Sequence, residues 1–276
     1  MLSRISQICG SKTLIMGVIN ATPDSFSGDG IDIDVDAALM QANHFVKNGV
    51  DLIDVGGESS RPPSIYKGVK PISVQDEIDR VVPIIETITS ELDVRVSVDT
   101  FKSKVALEAI KKGASIVNDI WSFEKDADMA NVVKNADVDV ILMHNTDNPK
   151  YGDVVEDCIR GLKMVVDRAV KFGVKQDRII IDPGIGFAKT PTQNLEILRR
   201  LSEFKVLGFP ILVGTSRKST IGAVLGLPVD QRLEGTAATV AICITKGADI
   251  VRVHDVAEMS RVVKMSDAIV RGWSDK

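Results

Sequence analysis

The chain has 276 residues, of which 44% are hydrophobic and 26% charged, a globular profile rather than a disordered or fibrous one. Its 34 basic and 38 acidic residues leave a formal charge of −4, which argues against a nucleic-acid partner. Three scattered cysteines, Cys9, Cys158 and Cys243, exclude a disulfide framework and fit a reducing cytoplasm. Aromatic residues are only 4% of the chain, so Ile, Val, Leu and Ala must pack the core.

The first apolar stretch, Leu14–Ile19, is too short to span a membrane and lacks a cleavage site, so it reads as a strand. Seven similar runs follow, with strands expected to begin near residues 14, 52, 94, 116, 138, 179, 211 and 250. Nearly all stop at a polar or charged residue: Asn20, Glu58, Asp99, Asn118-Asp119, Asn145, Asp182, Arg217-Lys218 and His254-Asp255. Between them lie amphipathic segments with helical spacing. In 36–49 the apolar positions Ala37, Leu39, Met40, Ala42 and Phe45 suggest a buried face, and Gly49 a stop. Ser73 is the expected N-cap for a helix over 73–92, with Asp76 in its first turn. Further helices are expected over 102–113 and 194–204. The segment 235–247 is apolar nearly all round, which predicts the most buried helix or a contact between subunits.

Alternating strands and helices in a chain near the ~250 residues of a typical (β/α)8 barrel predict that α/β fold, a TIM barrel, as one domain over 1–276. Such a barrel collects its chemistry at the C-terminal ends of its strands, where the polar residues above fall. Two long loops, 21–35 and 57–72, would rise from that face as lids or clamps.

Arg252 and His254 are two apart in the last run, so they share a strand face. An anion between them would offset the cost of burying a cation there, and Asn20 on the adjacent first strand would complete a phosphate or pyrophosphate pocket. Asp99, Asn118 and Asp182 should converge in the same mouth. Their acceptors match the paired NH₂ and ring N–H donors of a flat heterocycle, though such residues also serve metal sites. The glycines of the run Asp182 to Phe187 let backbone approach a flat ligand, and Lys189 either contacts that ligand or faces solvent.

With these residues in place, the chain resembles the dihydropteroate synthase family along essentially its whole length. The matching motifs are MGVINATPDSFS (16–27), DVGGESSRP (54–62), SVDT (97–100), NDI (118–120), DPGIGFAKTP (182–191), GTSRKS (214–219), RLEGTAAT (232–239) and RVHD (252–255). The resemblance implies a (β/α)8 barrel that joins a hydroxymethyl-dihydropterin pyrophosphate to p-aminobenzoate in folate biosynthesis. It implies pterin contacts from Asp99, Asn118, Met143, Asp182, Phe187, Lys218 and Arg252, and pyrophosphate contacts from Asn20, Arg252 and His254. A p-aminobenzoate pocket would be framed by Phe26, Ser60, Arg61, Lys218 and Ser219. Mg²⁺ would sit on Asn20 with Asp24 as a helper, and the protein would be a homodimer and a sulfonamide target.

Two departures stand out. Ser59-Ser60-Arg61-Pro62-Pro63 replaces a Ser-Thr-Arg-Pro-Gly-like run, and His144-Asn145-Thr146-Asp147-Asn148-Pro149 replaces a His-Met-x-Gly-x-Pro-like run. They leave two alternatives: a pterin-binding homologue without synthase activity, and a methyltransferase that moves a methyl from tetrahydrofolate to a corrinoid protein. The latter would not need the Arg252/His254 pair.

Overall fold

The computed structural model describes residues 4–21, 34–58 and 71–273. Eight parallel strands are ordered β6-β5-β4-β3-β2-β1-β8-β7. They are β1 (Leu14–Asn20), β2 (Leu52–Gly56), β3 (Arg95–Asp99), β4 (Ile116–Asp119), β5 (Asp139–Met143), β6 (Ile179–Asp182), β7 (Leu212–Val213) and β8 (Ile250–Val253). A parallel bridge between Ile181 and Ile211 brings the two edge strands together and closes the barrel. The strand β7 is short because Pro210 has no N–H to donate, leaving only its carbonyl to accept from Ile181 N at 2.9 Å.

The helices are α1 (Ile5–Ile8), α2 (Val35–Lys47), α3 (Val74–Glu91), α4 (Ser103–Lys111), α5 (Met129–Ala136), α6 (Val154–Phe172), α7 (Pro191–Arg199), α8 (Ser219–Leu225), α9 (Leu233–Thr245) and α10 (Val256–Arg271). Ser73 caps α3 in a reciprocal box with Asp76, as its spacing predicts. Thr190, Pro191 and Gln193 start α7 in the same way. That helix begins earlier than the apolar pattern suggests, and a 3-10 stretch Leu201–Leu207 follows it. Among the described residues, no helix is long and apolar enough to cross a membrane. All three cysteines are free.

Two expectations fail on detail. In α2 the buried stripe is Ala38, Ala42 and Phe45, while Met40 is 67% exposed. A spacing of four then three keeps those residues on one face, and Met40 falls off it. Of the two alternatives for α9, the most buried helix fails and the contact between subunits is untouched: Thr236, Val240, Cys243 and Ile244 face inward, but Ile242 is 48% exposed. Nothing in its composition marks which side packs.

The strands divide their side chains by the two-residue alternation of a pleated strand. One set packs outward against the helices, as with Ile53, Val55, Val96, Val98, Val140 and Val251. The other points into the barrel. Its lower layer is Leu14, Met16, Leu52, Ile116, Ile141, Ile180, Leu212 and Ile250, closed from below by Ile5 of α1. This layer is apolar except on β3, whose inward-facing Ser97 is buried in register with Ile116.

Candidate active site

Two residues beyond the floor, the same strands change chemistry. Leu52 is followed by Asp54, Ile116 by Asn118, Ile141 by Met143, Ile180 by Asp182 and Ile250 by Arg252. Asp99 joins them through Gly56 and Asn118, its register partners on either side. Asp54 is fully buried, and Asp99, Asn118, Met143 and Asp182 are all at most 9% exposed. The sequence-predicted residues of β3, β4, β5, β6 and β8 therefore share one level at the C-terminal mouth.

Arg252 is the hub of this layer. Its Nε donates to Asp54 Oδ2 at 2.6 Å and its Nη2 to Asp99 Oδ2 at 2.8 Å. Asn118 Nδ2 also donates to Asp54 Oδ2, at 3.0 Å, which leaves the amide oxygen of Asn118 as its remaining acceptor. The charge of Arg252 is thus offset inside the chain, so its pairing with His254 does not by itself call for an anion. Asp54 was missed by the sequence reading. The signal was present: an acid in the middle of LIDVG and a cation in the middle of IVRV are each costly alone and natural partners together. The second oxygen of Asp54 is buried without a partner among the described residues.

Asp182 ends β6, and its Oδ1 accepts from Gly184 N at 2.7 Å. Lys218, at the start of α8, donates to the carbonyl of Ile185 and lies 4.6 Å from the centroid of the Phe187 ring. Lys218, Phe187 and Asp182 therefore form one wall of the mouth. Burial pulls the Lys218 ammonium down to about 8, although Asp182 opposes the shift. Burial also raises Asp182, with Lys218 pulling the other way. Asp99 is raised by burial, lowered by Arg252 and raised again by Asp54. A layer holding several carboxylates and two cations at close quarters is a site poised to exchange partners with a ligand.

At the next level up, His254 Nδ1 lies 3.0 Å from Ser216 Oγ, which also accepts the His254 backbone N–H at 3.2 Å. The neighbouring Arg217 has φ +57° and a two-pronged ion pair with Asp255. Thr236 of α9 accepts from the Arg217 backbone N–H at 3.1 Å and so holds this turn. Asn20 is exposed at the end of β1, paired in register with Gly56. Ser219 opens α8 directly after Lys218.

The expected loop residues Asp24, Phe26, Ser60 and Arg61, and most of both long loops, lie outside the described residues. At the described base of the second loop, Lys102 Nζ donates to Glu58 Oε2 and Glu77 Oε2, each at 2.6 Å, and to Ile72 O at 2.9 Å. This network escaped the sequence reading because Glu58 and Glu77 are 44 and 25 residues from Lys102, and no spacing pattern links the three. Lys189 does not face solvent. It is turned inward onto main-chain carbonyls, with Phe187 O at 3.0 Å. His144, buried after β5, is held down to about 3 by burial and by the charge of Lys189.

The family described as pterin binding enzyme matches residues 16–254. The dihydropteroate synthase of Clostridium beijerinckii is 52% identical over 95% of this chain and 96% of its own length. A crystal structure of the Clostridium difficile dihydropteroate synthase in the presence of pteroic acid superposes with a TM-score of 0.91, at 46% identity, covering 95% of this chain and 98% of that one. The Xanthomonas albilineans enzyme with 4-aminobenzoic acid gives a TM-score of 0.88 at 36% identity, covering 94% and 93%. The chain belongs to the pterin binding enzyme family, among its dihydropteroate synthases.

Proposed function

We propose that this enzyme condenses 6-hydroxymethyl-7,8-dihydropterin pyrophosphate with p-aminobenzoate, giving 7,8-dihydropteroate and pyrophosphate in folate biosynthesis. The observation that carries this reading is the acceptor set of Asp99, Asn118 and Asp182 on one level of the mouth, beside the Lys218–Phe187 wall. The relatives crystallised with pteroic acid and with 4-aminobenzoic acid support it.

In this reading Asp99 and Asp182 accept from the amino and ring N–H groups of the pterin, and Asn118 offers the oxygen that Asp54 leaves over. Met143 lines the slot. Arg252 lies against the ring face, where a guanidinium is attracted to π density. With His254 and Asn20 it also receives the diphosphate. The bond between the pterin methylene carbon and the diphosphate oxygen breaks, and the oxygen keeps the electron pair. The lone pair of the arylamine makes the new C–N bond, and its proton passes to solvent. The amine is neutral near pH 7, so no strong base is needed. Phe26, Ser60, Arg61, Lys218 and Ser219 frame the p-aminobenzoate.

Among the described residues no cluster of three or more His, Cys, Asp or Glu could hold a metal by itself. A single amide oxygen at Asn20, helped by Asp24, suits Mg²⁺, which takes few protein oxygens and completes its shell from phosphate and water. Bound there, Mg²⁺ would offset charge on the departing diphosphate.

Exposed apolar residues on α9 and α10 (Ile242 48%, Met265 62%, Ile269 70%), with Trp273 beyond at 71%, support a homodimer. Three free cysteines support a cytoplasmic setting, and the Yersinia pestis dihydropteroate synthase solved with a sulfonamide drug supports inhibition by sulfonamides.

Pyrophosphate release measured with and without p-aminobenzoate tests the reading. Amine-dependent release supports it. Pterin binding with no turnover would replace it with a carrier, and methyl transfer from tetrahydrofolate would replace it with the corrinoid-linked reaction.

A further inference from the structure

The loop between β6 and α7 is tied from the inside. Lys189 Nζ donates to three main-chain carbonyls: Phe187 O at 3.0 Å, Gly184 O at 3.1 Å and His144 O at 3.2 Å. Two of these belong to the loop itself, and the third directly follows the adjacent strand β5. The backbone is forced tight there. Gly184 has φ +74°, and a Cβ on it would fall 2.1 Å from His144 O, so only glycine allows the approach. Gly186 and Ala188 also have positive φ, +82° and +50°. Phe187 N donates to Gly184 O at 3.1 Å, which closes the turn.

The same turn faces the mouth on its other side. There it presents the Phe187 ring and the Ile185 carbonyl to Lys218. Asn194 of α7 braces it, accepting from Gly186 N at 2.8 Å and donating to Thr220 Oγ1 at 3.1 Å. Carbonyl dipoles brought together in this way repel one another unless a cation sits between them. A buried acceptor left unpaired is also costly, so the turn would open if the ammonium were removed.

We propose that Lys189 is a positioning residue for the pterin: its ammonium gathers the carbonyls of His144, Gly184 and Phe187 and thereby sets the ring of Phe187 and the partner carbonyl of Lys218. The proposal rests on the pterin reading of the mouth. It assigns Lys189 no contact with substrate.

The test is Lys189→Ala under steady-state turnover, with n-propylammonium added to refill the vacated stem and head. The KM for the pterin pyrophosphate is expected to rise about tenfold or more, and the KM for p-aminobenzoate, whose pocket shares Lys218 but not Phe187, to rise by clearly less, about threefold at most. Propylammonium should restore the pterin KM, and tetramethylammonium, which has no N–H to donate, should not. Equal rises in both KM values, no rise, or equal rescue by both cations would overturn the proposal. If the alanine variant does not fold, Lys189→Met keeps the volume of the stem and is titrated calorimetrically with pteroic acid: about tenfold weaker binding supports the proposal, and unchanged binding overturns it. Wild-type protein run in parallel separates the two readings. If it shows no amine-dependent pyrophosphate release, the synthase reading fails, and Lys189 is then judged by the pteroic acid titrations alone.

Discussion

The floor of the barrel and the layer above it are built on the same strands, two residues apart, yet they obey opposite rules. Leu52, Ile116, Ile180 and Ile250 pack in one apolar cluster and gain by leaving water. Asp54, Asn118 and Asp182 are nearly as buried and Arg252 is partly so, but each is tolerated only through a specific partner. Stability and recognition are therefore separated along the strand direction. The barrel bottom can be altered at a cost in folding, and the top at a cost in binding.

The largest effect should come from Asp182→Ala set against Ile180→Val. The first removes a buried acceptor pair and should weaken pteroic acid binding by about 10³-fold or more. The second should cost only about 1 kcal/mol of stability and leave binding within about twofold. Calorimetric titration and thermal melting of both variants check the separation. Comparable losses of affinity in the two would dissolve it.

Lys218 should sharpen the contrast through pH. Its folded value of about 8 lies below the ordinary 10.5, so the unfolded chain holds the proton more tightly across that window. Stability from this group therefore rises as pH climbs from about 8 toward 10.5, whereas below 8 the buried charge is a burden on the fold. Pterin affinity should move the other way and fall above pH 8 as the ammonium is lost. Lys218→Met should weaken pteroic acid binding about 10- to 100-fold and keep or raise the melting temperature at pH 7. A lower melting temperature with intact affinity would place Lys218 with the floor. Because burial raises Asp99 as well, affinity should also decline toward acid pH as that carboxylate takes up a proton.

The smallest of the three effects is expected at Asp54, which touches Asn118 and Arg252 and is assigned no contact with the ring. Asp54→Asn should raise the pterin KM about three- to tenfold and leave the p-aminobenzoate KM unchanged. A matching rise in both would mean that Asp54 supports the whole mouth rather than its pterin wall.

Much of this was legible in the residues. A barrel strand that ends in a carboxylate, amide or cation announces which end carries chemistry, and Asp99, Asn118 and Asp182 do meet at one level. The period-two alternation was enough for that. Partnership was harder to read, since Arg252 and Asp54 are 198 residues apart and only closure of the barrel joins β8 to β2 through β1. Lys189 was opaque for another reason. Its partners are main-chain carbonyls, which every sequence has, and only the positive φ values of the loop bring them together. The apolar helix α9 left two alternatives because its interior and exterior faces are alike in composition, and exposure of Ile242 depends on tertiary packing.

The most direct measurement is a crystal structure of this protein with pteroic acid bound. The account predicts the pterin ring between Arg252 and the Lys218–Phe187 wall, with its donors on Asp99, Asn118 and Asp182. A ring bound elsewhere, with these three side chains untouched, would contradict it.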